Sequence, residues 1–269
     1  MSIPFAGGFV DSDGERIYYE TAGDGDDVVV LCHGAGGNHA SWWQQVPVFA
    51  TRFRVVAWDH RGFGRSTDAA QVSGPDAAVR DLEALTAALG VERAHLVAQS
   101  MGGWTALGFA LAHPERVRSL VLADTVAGIW TAETERAHDD FVARAASEWG
   151  RPPELGRHVA VGQVLAERDP ARAFLYQEIG GFAEPDIVHI GARLRATAYE
   201  HGAVADLRCS VLFVVGRDDP IFPPGAIRSA AAVVGEDTEV VEIPACGHSP
   251  YFEDADAWNE AVLAFLVRA

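Results

Sequence analysis

Three side chains that could do chemistry together are spread far apart in the chain: Ser100, Asp219 and His248. A serine hydroxyl is a poor nucleophile until a neighbouring imidazole takes its proton, and the imidazole needs a carboxylate to hold its tautomer and stabilise its charged form. Each residue also has an ordinary reading on its own. Ser100 sits in a strand-to-helix loop, Asp219 precedes Pro220 as a turn former, and His248 is a loop histidine. What joins them is position, because each stands in a turn just past a short apolar run that reads as a buried strand. In an open parallel sheet the carboxyl ends of the strands gather along one edge, where ligands bind.

The stretch Leu96-Val97-Ala98-Gln99-Ser100-Met101-Gly102-Gly103 reads as strand, sharp turn, helix. A serine at the apex of such a turn is held in a strained backbone conformation that projects its hydroxyl and leaves the next N–H free to bind an oxyanion. Small neighbours are needed because strand and helix nearly touch. The local pattern is Ala98-x-Ser100-x-Gly102, with alanine where the familiar form has glycine.

The elements that must position these groups follow from periodicity. Two extended segments within residues 8–22 flank the turn Asp11-Ser12-Asp13-Gly14 and predict a hairpin. Val28–Cys32 is an unbroken apolar run, as expected of a strand buried on both faces. It empties into the small-residue loop His33-Gly34-Ala35-Gly36-Gly37-Asn38, whose backbone N–H groups could approach a ligand closely. Residues 41–49 predict a first helix and 53–58 the next strand. Residues 76–89 carry Val79, Leu82, Leu85 and Leu89 at helical spacing and stop at Gly90. Further on, the pattern predicts a helix over 101–112, strands over 117–123, 211–215 and 239–243, a helix over 224–233, and a last helix with Trp258, Val262, Phe265 and Leu266 on one face.

Strands alternating with helices predict a parallel sheet covered on both faces. Between residues 125 and 207 that rhythm breaks: the segment is charged and helical in pattern, with breaks at Arg151-Pro152-Pro153 and Gly180-Gly181. A helical insertion between two strands reads as a lid over the sheet edge. The expected organisation is therefore a core of residues 1–124 and 208–269 with a lid of residues 125–207.

Composition narrows the function classes. A formal net charge of -17 over 269 residues repels phosphate backbones and anionic lipid, so neither nucleic acid nor a membrane surface is an expected partner. All the basic side chains are arginine, which excludes any mechanism requiring a lysine. Cys32, Cys209 and Cys246 are scattered without a C-x-x-C pair, which suits reduced thiols, and no H-E-x-x-H metal spacing occurs. No run of about 18 apolar residues and no signal-peptide pattern is present, so a cytoplasmic protein is expected. A dinucleotide-binding reading of Gly34-x-Gly36, with Asp59 ending the next strand, fails because His39 stands where the third glycine should be.

Together, His33-Gly34, Asp59-x-Arg61-Gly62-x-Gly64-x-Ser66, Ser100-Met101-Gly102-Gly103, Gly216-x-x-Asp219 and Gly247-His248 resemble the α/β-hydrolase superfamily over nearly the whole chain. The resemblance implies a mostly parallel eight-stranded α/β sheet with helices on both faces and a helical lid insertion. It also implies Ser100 as nucleophile, His248 as general base, Asp219 as its orienter, and the N–H groups of Ala35 and Met101 as the oxyanion hole. Residues 53–129 look most like small esterases, 3-oxoadipate enol-lactonases and carbon–carbon bond hydrolases. Serine at 100 departs from haloalkane dehalogenases and epoxide hydrolases, which carry aspartate there. Ser249 departs from the tryptophan that usually follows the histidine in carbon–carbon hydrolases.

The expected activity is hydrolysis of a small ester or lactone through an acyl-enzyme, needing no cofactor and no metal. The alternatives are a carbon–carbon hydrolase or a cofactor-free perhydrolase on the same triad, and a ligand receptor with negligible turnover. Trp42, Trp104, Trp130 and Phe182 are candidates to line the pocket, against the commoner reading of aromatic residues as core.

Overall fold

Runs of valine, leucine and isoleucine without polar interruption become the centre of an eight-stranded sheet. The computed structural model describes residues 3–148, 158, 160–161, 163–182 and 187–269. Its strands are β1 (Phe5–Ser12), β2 (Glu15–Ala22), β3 (Val28–Cys32), β4 (Arg54–Trp58), β5 (Ala94–Gln99), β6 (Val117–Ala123), β7 (Ser210–Gly216) and β8 (Glu239–Ile243). Their order is β1-β2-β4-β3-β5-β6-β7-β8. From β4 to β8 neighbouring strands run parallel, and the β1–β2 hairpin is added antiparallel at one edge. Asp13 and Gly14, both at positive φ, form the two-residue hairpin turn.

The strand order reverses direction between β3 and β5. At such a point the loops leaving the two strands diverge to opposite faces and open a crevice at their carboxyl ends. The loop 33–38 leaves β3 there and Ser100 follows β5.

The helices in chain order are α1 (Val46–Phe49), α2 (Pro75–Ala88), α3 (Gly102–Ala112), α4 (Ala132–Glu148), α5 (Gln163–Arg168), α6 (Pro170–Gly180), α7 (Ile187–Ala196), α8 (His201–Ala205), α9 (Pro224–Val234), α10 (Pro250–Glu253) and α11 (Ala255–Arg268). Alternate residues of each central strand feed two cores. Val30, Cys32, Leu96 and Ala98 pack with α2, α3 and α9 on one face. Val29, Leu31 and Val97 pack with Trp42, Phe49, Trp258 and Val262 on the other. Both faces of β3 and β5 are thus buried, which explains why their sequences show no polar alternation.

The helix expected over 41–49 is instead a 3-10 turn, His39–Trp42, followed by the single turn α1. Pro47 explains the break: lacking an N–H and disfavouring helical backbone before it, it is accommodated only in the first turn of a new helix. Between β6 and β7 the chain forms α4 to α8, and α6 ends at Gly180 as the glycine pair predicts. The expected break at Arg151-Pro152-Pro153 lies outside the described residues.

Candidate active site

The turn from β5 into α3 places Ser100 at φ 48°, a left-handed conformation that is strained for a residue with a Cβ. Such strain costs about 1–3 kcal/mol and persists only where the surroundings enforce it. Here Ser100 N–H donates to Ala123 O at 2.9 Å and Gly103 N–H donates to Ser100 O at 2.9 Å, so both sides of the apex are pinned. A Cβ on Gly102 would stand 2.3 Å from Cys32 O, which shows how closely the helix start crosses β3. The turn forms with Ala98 in place of the usual glycine, and that alanine is fully buried in β5.

The loop after β3 presses on the same apex. A Cβ on Gly34 would meet Gln99 Oε1 at 2.0 Å and Ser100 Cβ at 3.1 Å. Gly37 N–H donates to Gly34 O, closing a turn around the exposed Ala35. Met101 is the N-cap of α3, where N–H groups have no acceptor inside the helix.

His248 reaches this apex from the turn after β8. Its Nε2 lies 2.9 Å from Ser100 Oγ and its Nδ1 lies 2.8 Å from Asp219 Oδ2. Three residues 148 and 29 positions apart are thus in one hydrogen-bonded chain. Asp219 Oδ1 accepts the N–H groups of Ile221 at 2.7 Å and Phe222 at 3.1 Å, which fixes the carboxylate plane. Asp219 and His248 are buried, whereas Asp218 is exposed.

Several supports of His248 carry no sequence signature. Gln99 Nε2 donates to His248 O at 2.8 Å, and His248 N–H donates to Ala160 O at 2.9 Å. The buried Glu253 Oε1 accepts the N–H groups of Gly247 and Ser249 on either side. From α6, the Tyr176 hydroxyl lies 2.8 Å from Ser249 Oγ. Asp124 is a further residue that none of the sequence motifs marks. It is the residue directly after β6, wholly buried, and its burial together with the negative charge of Asp219 holds its carboxyl well above the usual carboxylate range. Its signal in the sequence is its place, since a polar residue shortly past a buried strand is the pattern shared by Ser100, Asp219 and His248.

Donor atoms of Asp124, Asp219 and His248 all lie within 4.8 Å of one another, so these are the residues a cation could engage. The Asp219 and His248 atoms are already hydrogen-bonded to each other, and a cation would have to take over that contact. The arrangement suits proton transfer better than coordination.

The four candidate pocket aromatics do not come together. Trp42 is fully buried against Tyr251 and Trp258 in one core, while Trp104 is buried in the core on the opposite face. Both rings are enclosed by other side chains. Trp104 and Trp130 lie 6.1 Å apart and both indole N–H groups reach Thr197 O, whereas Phe182 is 69% exposed. A small, mostly apolar pocket lies beside Met101, with Phe63, Pro75, Ala78, Ile190 and Leu194 among its walls, and Ser100, Asp219 and His248 do not line it.

Residues 27–255 match the pattern of the alpha/beta hydrolase fold family. The chain belongs to that family. It is 31% identical over 256 residues to the dihydrolipoyllysine-residue acetyltransferase component of the acetoin cleaving system of Pseudomonas putida, covering 93% of this chain and 66% of that one. It is 28% identical over 282 residues to the 2-hydroxy-6-oxononadienedioate/2-hydroxy-6-oxononatrienedioate hydrolase of Escherichia coli O81 (strain ED1a), covering 94% and 92% of the two chains. Among solved structures it is similar in fold to the enol-lactonase from Burkholderia xenovorans LB400, with TM-score 0.78 and 23% identity over 97% of this chain and 100% of that one. This α/β hydrolase thus shares its architecture with enzymes of differing substrates. No helix among its described residues is long and apolar enough to cross a membrane.

Proposed function

We propose that this α/β hydrolase cleaves a small carboxylic ester or lactone through an acyl-enzyme intermediate. The observation that carries the reading is the chain Ser100 Oγ, His248 Nε2, His248 Nδ1, Asp219 Oδ2, with contacts of 2.9 and 2.8 Å. His248 takes the proton of Ser100 as its oxygen attacks the substrate carbonyl. Asp219 holds the Nδ1 proton and stabilises the imidazolium that forms. The N–H groups of Met101 and Ala35 receive the negative charge on the carbonyl oxygen. His248 then gives its proton to the leaving alkoxide, and the carbonyl reforms as an ester on Ser100. A water molecule repeats the attack, with His248 again as base, releasing the acid and restoring Ser100. For a lactone the alcohol remains tethered to the acid.

Residues 125–207 serve as a lid in this reading, supported by two contacts to the His248 turn, one from Ala160 and one from Tyr176. A cytoplasmic location with a small-molecule substrate belongs to the same proposal, supported by three cysteines that form no disulfide. Carbon–carbon cleavage on the same triad is a second reading, favoured by the similarity to the E. coli hydrolase.

The test pairs a fluorophosphonate probe with kinetics on p-nitrophenyl esters, simple lactones and a vinylogous diketone acid. Wild type is expected to be labelled and to turn over esters or lactones many times. Ser100→Ala is expected to fold, to escape labelling and to lose turnover. Equal labelling of Ser100→Ala refutes the nucleophile, faster turnover of the diketone acid favours the second reading, and stoichiometric binding without turnover marks a receptor.

A further inference from the structure

The proposed triad leaves one buried acid unexplained. Asp124 follows Ala123, whose carbonyl pins Ser100, and its own N–H donates to Val214 O at 2.8 Å, so it is wedged between the ends of β6 and β7. It is fully buried and holds a positive φ of 50°. Its Oδ1 accepts the Gly216 N–H at 2.8 Å, while among the described residues its Oδ2 has no donor to accept from. Beside it stand the carboxylate of Asp219 and the ring of His248, with one donor atom of each of the three within 4.8 Å of the others.

A buried carboxylate with one N–H donor and a second carboxylate at its side is a costly arrangement. Adding one proton removes both costs, because Oδ2 becomes a donor and the neighbouring carboxylate is its acceptor. The hydrogen bonds decide which acid carries that proton. Among the described residues Asp219 accepts from Ile221, Phe222 and His248, whereas Asp124 accepts from Gly216 alone. We propose that Asp124 is protonated in the folded enzyme and donates a hydrogen bond to the Asp219 carboxylate, acting as a positioning residue for the triad.

The charge environment agrees. Burial first, and then the charge of Asp219, raise the Asp124 carboxyl, and Glu253 pushes the same way. Tyr176, Tyr251 and Cys246 lie near enough to feel a charge on Asp124 were it ionised, and they are themselves pushed up first by burial. His248 faces the group with a ring that carries positive charge when protonated. With one proton shared, the acid pair presents a single negative charge to His248. Two charges would favour the imidazolium so far that less of the histidine stands neutral and free to take the serine proton, and an unsupported Asp219 would be freer to turn.

This inference rests on the triad reading, and its test separates the two. Asp124→Leu removes the donor and Asp124→Asn restores one through its amide, so the pair is a loss and a rescue. On p-nitrophenyl acetate, Asp124→Leu is expected to lose at least about tenfold in kcat/KM and to move the acid limb of its pH profile upward. Asp124→Asn is expected to recover to within about tenfold of wild type with the limb displaced by less than about half a unit. Independently, the infrared spectrum of wild type near neutral pH should contain the carbonyl band of a protonated carboxylic acid that Asp124→Asn lacks. A missing band, a silent Asp124→Leu, or an Asp124→Asn no better than Asp124→Leu overturns the proposal. If Asp124→Leu does not fold, the band and the activity of Asp124→Asn decide it. A band present in wild type alongside a fully active Asp219→Asn would fault the triad reading instead.

Discussion

Two adjacent carboxylates offer a sharp test of the site, because Asp218 and Asp219 share a turn and only Asp219 meets His248. Consider Asp219→Asn. Oδ1 accepts two backbone N–H groups, from Ile221 and Phe222. An asparagine amide placed there would set donors against donors, so its carbonyl takes the Oδ1 position and its NH₂ turns toward His248 Nδ1. Nδ1 must then be the acceptor, which moves the ring proton to Nε2, 2.9 Å from Ser100 Oγ. In that tautomer the histidine cannot take the serine proton. A triad held in the wrong tautomer loses on the order of 10⁴ in kcat, about 5.5 kcal/mol of barrier. Asp218 is exposed, and its N–H donates to Cys246 O whichever side chain it carries. Asp218→Asn is therefore expected to change kcat by less than about tenfold. The assay is parallel steady-state kinetics on one p-nitrophenyl ester, with circular dichroism to confirm folding. An Asp219→Asn protein retaining more than about a tenth of wild-type kcat, or a crippled Asp218→Asn, refutes the reasoning.

Two further predictions concern stability. Burial pushes His33 and His95 down to about 4, and His60 well below its ordinary value, so all three are neutral in the fold. The unfolded chain binds these protons below about pH 6.5, so the stability contributed by neutral burial is complete above that pH and is lost as pH falls toward 4, at up to about 1.4 kcal/mol per unit for each histidine. Urea unfolding at stepped pH should show this slope, and His95→Gln should flatten it; an unchanged slope would count against His95. Arg61 and Asp81 form a buried two-point ion pair, with Nε at 3.0 Å and a second nitrogen at 2.5 Å from the carboxylate. Asp81→Ala leaves the buried guanidinium uncompensated and should cost about 3–5 kcal/mol, read from the denaturation midpoint, whereas a loss under about 1 kcal/mol would show that Arg61 escapes to water.

Much of the fold is written in local pattern. The unbroken apolar run Val28–Cys32 forms a strand over those same residues because it can be satisfied only by burial on both faces, and strands also form over Val117–Ala123 and, at the less buried sheet edge, over Glu239–Ile243. The small residues around Ser100 are legible for a related reason, since a Cβ at Gly102 would run into the Cys32 backbone and one at Gly34 into the Gln99 side chain. The motif from Asp59 to Ser66 carries its meaning differently. Asp59 accepts the N–H groups of His39 and Arg65, Arg61 holds Asp81, and Ser66 bridges Asp59 O and Tyr18 N–H, so the motif builds scaffold around the site. Residue spacing identifies such a motif without revealing what its side chains hold.

Strand rhythm, the glycine positions and the chain order Ser100, Asp219, His248 were thus determined by sequence alone, because each reflects a preference of backbone or burial that acts over a few residues. The tertiary structure decided everything that depends on which strand ends become neighbours. Sheet order sets β5, β6 and β7 side by side, and only then does Asp124 meet Asp219. The aromatics show the same limit: Trp42 and Trp104 are alike in type, yet the sheet separates them into opposite cores. A side chain's partners across the fold are fixed by the summed packing of all the elements, and no local spacing encodes that sum.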